Sequence, residues 1–197
     1  MDQILALAEA QYGVFSRAQA IAHGLTIAAL EHRVKRRSFE ALFPGGYRVP
    51  AAPRTGRQRA MAATLWLGGD SAVSHLTSGT LLRLDSCKAT ELDLSVLRDV
   101  RRRVDGVRIH RVAQLPRIDR VSVDGIPCTS ATRTLLDVAS VLEEEALEVA
   151  FESARRMGLT SPSFLAKRAG DLGTRPGATA IKQLLGHQQP GERSLQY

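Results

Sequence analysis

The sequence predicts an α+β fold in two parts, and three observations predict it. Two helical segments separated by a glycine turn, then a β-hairpin, follow one another within the first sixty residues. The middle of the chain carries short runs that alternate apolar and polar residues, as half-buried strands do. From Thr129 onward the spacing of apolar residues returns to the helical period.

The elements are justified in chain order. Asp2–Gln11 places Ile4, Leu5 and Ala8 at helical spacing and ends at Tyr12-Gly13. Ser16 stands as an N-cap before the short Ala-rich helix Arg17–Ala22, and Gly24 supplies the residue that follows a helix end. Thr26 caps a further helix that runs to Arg37, with Ile27, Leu30 and Val34 spaced to face a core. The opposite face shows Ala28, Glu31, His32, Lys35 and Arg36. Two β-prone runs, Phe39–Phe43 and Tyr47–Val49, flank Pro44-Gly45-Gly46, so Glu40–Val49 reads as a hairpin. A hairpin directly after the second helix of a helix-turn-helix is a wing. Residues 1–53 are therefore expected to form a winged helix-turn-helix, with Thr26–Arg37 as its recognition helix.

Pro50-Ala51-Ala52-Pro53 is the expected hinge to a second domain, residues 54–197, in which a small β-sheet packs with helices. Its expected helices are Arg57–Leu67 and Ser74–Leu84, and its strands are Glu91–Leu97, Val107–Val112 and Val121–Val123. In the first strand Leu92, Leu94 and Val96 alternate with Asp93 and Ser95, which reads as one buried and one solvated face. Thr129 or Ser130 caps the next helix, and Glu143–Met157 follows with acids in its first turn, favourable to the helix dipole. Ser161–Ala169 and Ala178–Leu185 complete a helical tail.

Charge says what the first part contacts. Of the net +7, residues 1–60 hold nine Lys/Arg against four Asp/Glu, residues 61–128 ten against eight, and residues 129–197 eight against eight. Basicity concentrated at one end fits a module that binds a polyanion. Small residues at the start of the recognition helix would let it enter a major groove about 12 Å wide. Ala28, Ala29, His32 and Arg33 are then the expected base readers, while Lys35, Arg36, Arg37 and the wing's Arg48 fall on phosphates. Ser16, Arg17 and Thr26, at the starts of the two helices, complete the expected DNA-binding set.

Other chemistries find little support. With 44% hydrophobic residues the chain is too apolar for a disordered one, yet no run approaches the roughly 20 residues that cross a bilayer. Met1-Asp2-Gln3 lacks the basic start of a secretion signal, so a cytoplasmic protein is expected. Cys87 and Cys128 stand far apart and read as reduced structural thiols. No His/Cys/Asp cluster has metal-ligand spacing, and Gly45-Gly46 and Gly68-Gly69 lack phosphate-loop spacing, so neither a metal nor a cofactor is expected. Ser74-His75 near Asp70 reads as a structural pair, since nothing places a serine in a strained elbow. Arg133 and Asp137, at i and i+4, read as a helix ion pair, and His110-Arg111 as a solvated strand face. No catalytic residue is expected.

Several segments resemble the AbiEi-type antitoxins of type IV toxin–antitoxin systems. They are Gly13–Ala20, Gly24-Leu25-Thr26, Phe43–Val49, Ser74-His75, Val107–Val112, Asp124–Pro127 and Ala131–Asp137. The resemblance implies a DNA-binding repressor of its own operon, acting at operators with inverted repeats in double-stranded DNA. It also implies a cognate nucleotidyltransferase-like toxin, with antitoxin activity carried by the second domain. Many relatives continue into a Vsr-like endonuclease domain, and this sequence stops at Gly191–Tyr197, about where that domain would begin. A nuclease-free antitoxin is the expectation. The alternative is a truncated relative of those fusions, serving as a docking module without catalysis. Arg101-Arg102-Arg103 leaves open a DNA contact from the second domain.

Overall fold

The computed structural model describes residues 2–97, 99–100, 103–173 and 176–187. The fold is α+β, with helices α1 (Asp2–Ala10), α2 (Arg17–Ala22), α3 (Ile27–Lys35), α4 (Gly56–Leu67), α5 (His75–Leu81), α6 (Ala131–Val138), α7 (Glu144–Arg156), α8 (Pro162–Asp171) and α9 (Pro176–His187). The strands are β1 (Val14–Ser16), β2 (Glu40–Phe43), β3 (Gly46–Arg48), β4 (Ser71–Val73), β5 (Leu92–Val96), β6 (Val107–Arg111), β7 (Arg120–Val123) and β8 (Ile126–Thr129). Arg101, Arg102 and Gly191–Tyr197 lie outside the described residues.

The chain divides into two compact units, Met1–Val73 with Glu91–Cys128, and Ser74–Thr90 with Thr129–Tyr197. The boundary expected after Pro53 falls inside the first unit. The reason is α4, which packs against β1, β2 and β3 on one side and against β4 and β5 of the next sheet on the other. Pro50–Pro53 is thus a turn within one body rather than a hinge between two.

In the first unit, β1, β3 and β2 form an antiparallel sheet with β3 in the centre. Beneath it lies a core of Ile4, Ala8, Phe15, Ala20, Leu25, Leu30, Phe39 and Tyr47. Phe15, wholly buried, is its hub: its ring meets Phe39 edge-on at 4.8 Å and stacks on Tyr47 at 5.8 Å. Ring pairs of this kind add about 0.5–1.5 kcal/mol beyond the area they bury.

A second sheet has the order β6-β5-β4-β8-β7. β5 runs parallel to β6 and antiparallel to β4, and β4 runs parallel to β8. The two-residue turn Asp124-Gly125 joins β7 to β8 with both residues at positive φ, 49° and 83°, as a hairpin twisted like its strands requires. Being internal to the sheet, β5 is buried on both faces: Asp93 is 4% and Ser95 0% exposed. This corrects the expectation of one solvated face, which alternation alone suggests.

The second unit is helical among its described residues. The expected mixed α+β composition of 54–197 therefore separates, with α4 and the strands in the first unit and the other helices in the second. Leu135, Val138, Phe151, Leu165 and Ile181 anchor a core shared by α6, α7, α8 and α9, to which Leu84 and Cys87 after α5 contribute. α6 lies deep in this core, with Arg133 2% exposed and its Nε 2.8 Å from Asp137 Oδ1, the i,i+4 ion pair that spacing predicts.

Candidate nucleic-acid interface

The candidate surface is built by α2, α3 and the β2–β3 hairpin. Ser16 and Gln19 form a reciprocal cap on α2: the Gln19 amide donates to Ser16 Oγ (3.1 Å) and the Ser16 amide to Gln19 Oε1 (2.8 Å). After α2, Gly24 adopts φ 85° with open space where a Cβ would stand, and the Leu25 amide reaches back to the Ala20 carbonyl at 3.0 Å. That turn aims the chain into α3, where Thr26 Oγ1 accepts from the Ala29 amide at 3.1 Å. Ser16 and Thr26 are both the caps that the sequence predicts.

Helix α3 ends unusually. The Arg37 amide donates to the Val34 carbonyl (3.0 Å) and the Ser38 amide to the Arg33 carbonyl (2.9 Å), the paired bonds of a Schellman motif. The left-handed residue such a motif needs is usually glycine; here it is Arg37, at φ 58°. An L side chain there is disfavoured by about 1 kcal/mol, and in return the helix C-terminus gains an exposed cation.

The outward face of α3 presents Ala28, Glu31, His32 and Lys35, all exposed, with Arg36 and Arg37 beyond them. Among the described residues, Lys35, Arg36 and Arg37 enter no ion pair. Ala29 and Arg33 instead lie on the flank of the helix. Both are half-buried, and the Arg33 guanidinium folds back to the Ala29 carbonyl at 3.2 Å. Arg17 is exposed at the start of α2, with its amide on the Gly45 carbonyl (2.7 Å) and its guanidinium on the Tyr47 hydroxyl (3.2 Å). That hydroxyl raises the Arg17 pKa further and holds the side chain beside the hairpin turn.

Two expectations need correction. Ile27, spaced to face the core, is 50% exposed, whereas Leu30 belongs to the core and Val34 packs against it. Arg48, expected on phosphate, is 2% exposed. It sits on the central strand, donates to Glu40 Oε2 at 2.7 Å, and also donates to the carbonyls of Pro50 and Ala52. The pairing holds the Glu40 carboxyl below its ordinary range. Arg48 thus ties the hairpin to the turn that follows it, and Arg54, beyond that turn and exposed, lies 2.9 Å from the same carboxylate. Burial of the glutamate's partner cannot be read from periodicity; an arginine on a three-residue central strand, with a glutamate directly across the hairpin, is the signal that was available.

The remaining clusters are structural in their geometry. His110 Nε2 lies 2.9 Å from Asp93 Oδ1 across the parallel pair β5–β6, so His110 is tied to a buried acid rather than solvated as expected. Ser95 shares their face of the sheet but is wholly enclosed, out of a substrate's reach. Ser74 is buried at the N-cap position of α5, yet its Oγ lies 3.0 Å from His75 Nδ1 and makes no cap bond. Both cysteines are free and buried, and burial pushes their thiols up to about 11 for Cys87 and about 12 for Cys128. Among the described residues, no group of three or more His, Cys, Asp or Glu side chains is placed to hold a metal ion. No helix among them is long and apolar enough to cross a membrane.

Compared with models of known protein families and with curated proteins, the sequence finds no match in either.

Proposed function

We propose that the chain is a winged-helix DNA-binding regulator, the antitoxin of a type IV toxin–antitoxin system that represses its own operon. One observation carries the DNA-binding part. Lys35, Arg36 and Arg37 gather at one end of an exposed, well-capped helix, free of carboxylate partners among the described residues, on the most basic third of the chain. In this reading α3 lies in the major groove, Ala28 and His32 face base edges, and Arg17, Lys35, Arg36 and Arg37 neutralise phosphates. The antitoxin part rests on the resemblance of the motifs described above. It brings with it a nucleotidyltransferase-like toxin as partner, inverted repeats in the operator, and action in the cytoplasm without catalysis.

The test is binding of the full chain to the DNA upstream of its own gene, titrated with salt. Four phosphate contacts per chain give a log–log slope of about −3.6, a loss on the order of a hundredfold between 50 and 200 mM salt. No binding at low salt would refute the regulator. Plasmid DNA incubated with the protein and Mg²⁺ should remain intact. For the antitoxin part, a nucleotidyltransferase-like reading frame beside the gene should arrest growth when expressed alone, and co-expression of this chain should restore it.

A further inference from the structure

Helix α3 carries two outward stripes, Ile27–Glu31–Lys35 and Ala28–His32–Arg36, each at i, i+4 and i+8. The first stripe is the unusual one. It opens with an isoleucine that is 50% exposed at the first helical position, directly after the Thr26 cap. One turn on stands Glu31, the only acid of the helix and likewise exposed. A carboxylate beside phosphates is repelled, so the start of this stripe is unsuited to the DNA backbone; an exposed isoleucine gains nothing from it either. The floor of the major groove differs. Of the four bases only thymine presents an apolar group there, its C5-methyl. The N-terminal residues of a recognition helix are also the ones that come closest to base edges.

We propose that Ile27 is a specificity-determining residue that packs on the C5-methyl of a thymine in the bound DNA. The inference rests on the DNA-binding reading above and deepens it. Lys35, Arg36 and Arg37 then supply affinity at the far end of the helix, and Ile27 discriminates at the near end. Because the contact is apolar, it adds no salt dependence.

The experiment begins with duplexes selected by the full chain from a random-sequence pool. Each thymine of the selected site is then replaced singly by deoxyuridine, which removes one methyl and keeps every hydrogen-bonding group. Wild-type protein should bind about fourfold more weakly at one position per recognition helix, the worth of one buried methyl. Ile27→Ala should bind thymine and uracil equally at that position, with an unchanged salt slope and an unchanged urea midpoint. Ile27→Val should retain part of the discrimination. Failure of the wild-type protein to enrich any sequence would overturn the DNA-binding reading and this inference with it. Enrichment in which uracil substitution costs Ile27→Ala as much as wild type, at every position, would overturn the role of Ile27 alone.

Discussion

Replacing Arg48 separates a fold-holding role from a DNA-contacting one. The side chain is 2% exposed and makes a 2.7 Å ion pair with Glu40, besides bonds to the carbonyls of Pro50 and Ala52. Removing one member of a buried pair costs about 3–5 kcal/mol. Arg48→Met should fall at the low end, about 3 kcal/mol, because Glu40 is itself 35% exposed and keeps Arg54 as a neighbour. The reporter is built in: Trp66, the single tryptophan, stacks on Phe43 of β2 at 5.4 Å. Its fluorescence therefore follows the unit that contains the hairpin. With a urea dependence of about 2 kcal/mol/M, the midpoint should drop by about 1.5 M. At low temperature and without urea, the folded variant should keep the wild-type salt slope of DNA binding. An unchanged midpoint together with a salt slope shallower by about one would mean that Arg48 contacts phosphate after all, and the reasoning would be wrong.

Other outcomes follow from the same geometry. Lys35→Ala should weaken binding to all DNA sequences and make the salt slope shallower by about one. His32→Ala should instead relax preference at one base pair, by roughly 1–3 kcal/mol, and equal behaviour of the two variants in competition binding would remove the distinction. Arg37→Gly should raise the urea midpoint, by about 1 kcal/mol of stability, since glycine suits φ 58° better, while weakening DNA binding. Burial raises both thiols, to about 11 for Cys87 and about 12 for Cys128, so little reactive thiolate is present at pH 8 in the folded chain. Iodoacetamide at pH 8 should leave Cys87 and Cys128 intact until urea is added, and mass spectrometry reads the result.

What was legible in the sequence was local. Ser16, Thr26 and Ser130 announce helix starts through short side chains that accept from their own backbone, and each caps a helix that the sequence predicts. The hairpin was visible through its Pro-Gly turn. Of the strands that escaped, β1 and β4 span three residues each, too few for alternation to register, and their place comes from partners distant in sequence. β8 could have been found, because Asp-Gly between two apolar runs is a strong hairpin signal. Within the candidate interface, Lys35, Arg36 and His32 lie where helical period puts them. Ile27 and Arg48 do not, because each depends on how the helix start and the hairpin pack in three dimensions. The division into units was the least legible, since it joins Ser74–Thr90 to helices that begin forty residues later.

That interleaving bears on how the gene could have been assembled and how it can be cut. The backbone passes from one unit to the other three times, after Val73, Thr90 and Cys128. On the ribosome, β4 emerges well before its parallel neighbour β8, and the first unit stays incomplete until Cys128 has been made. No single cut in the chain releases either unit whole. An ancestral fusion of two finished modules, end to end, would have left one crossing. Any shuffling of the first unit onto another partner must carry residues 91–128 along with it.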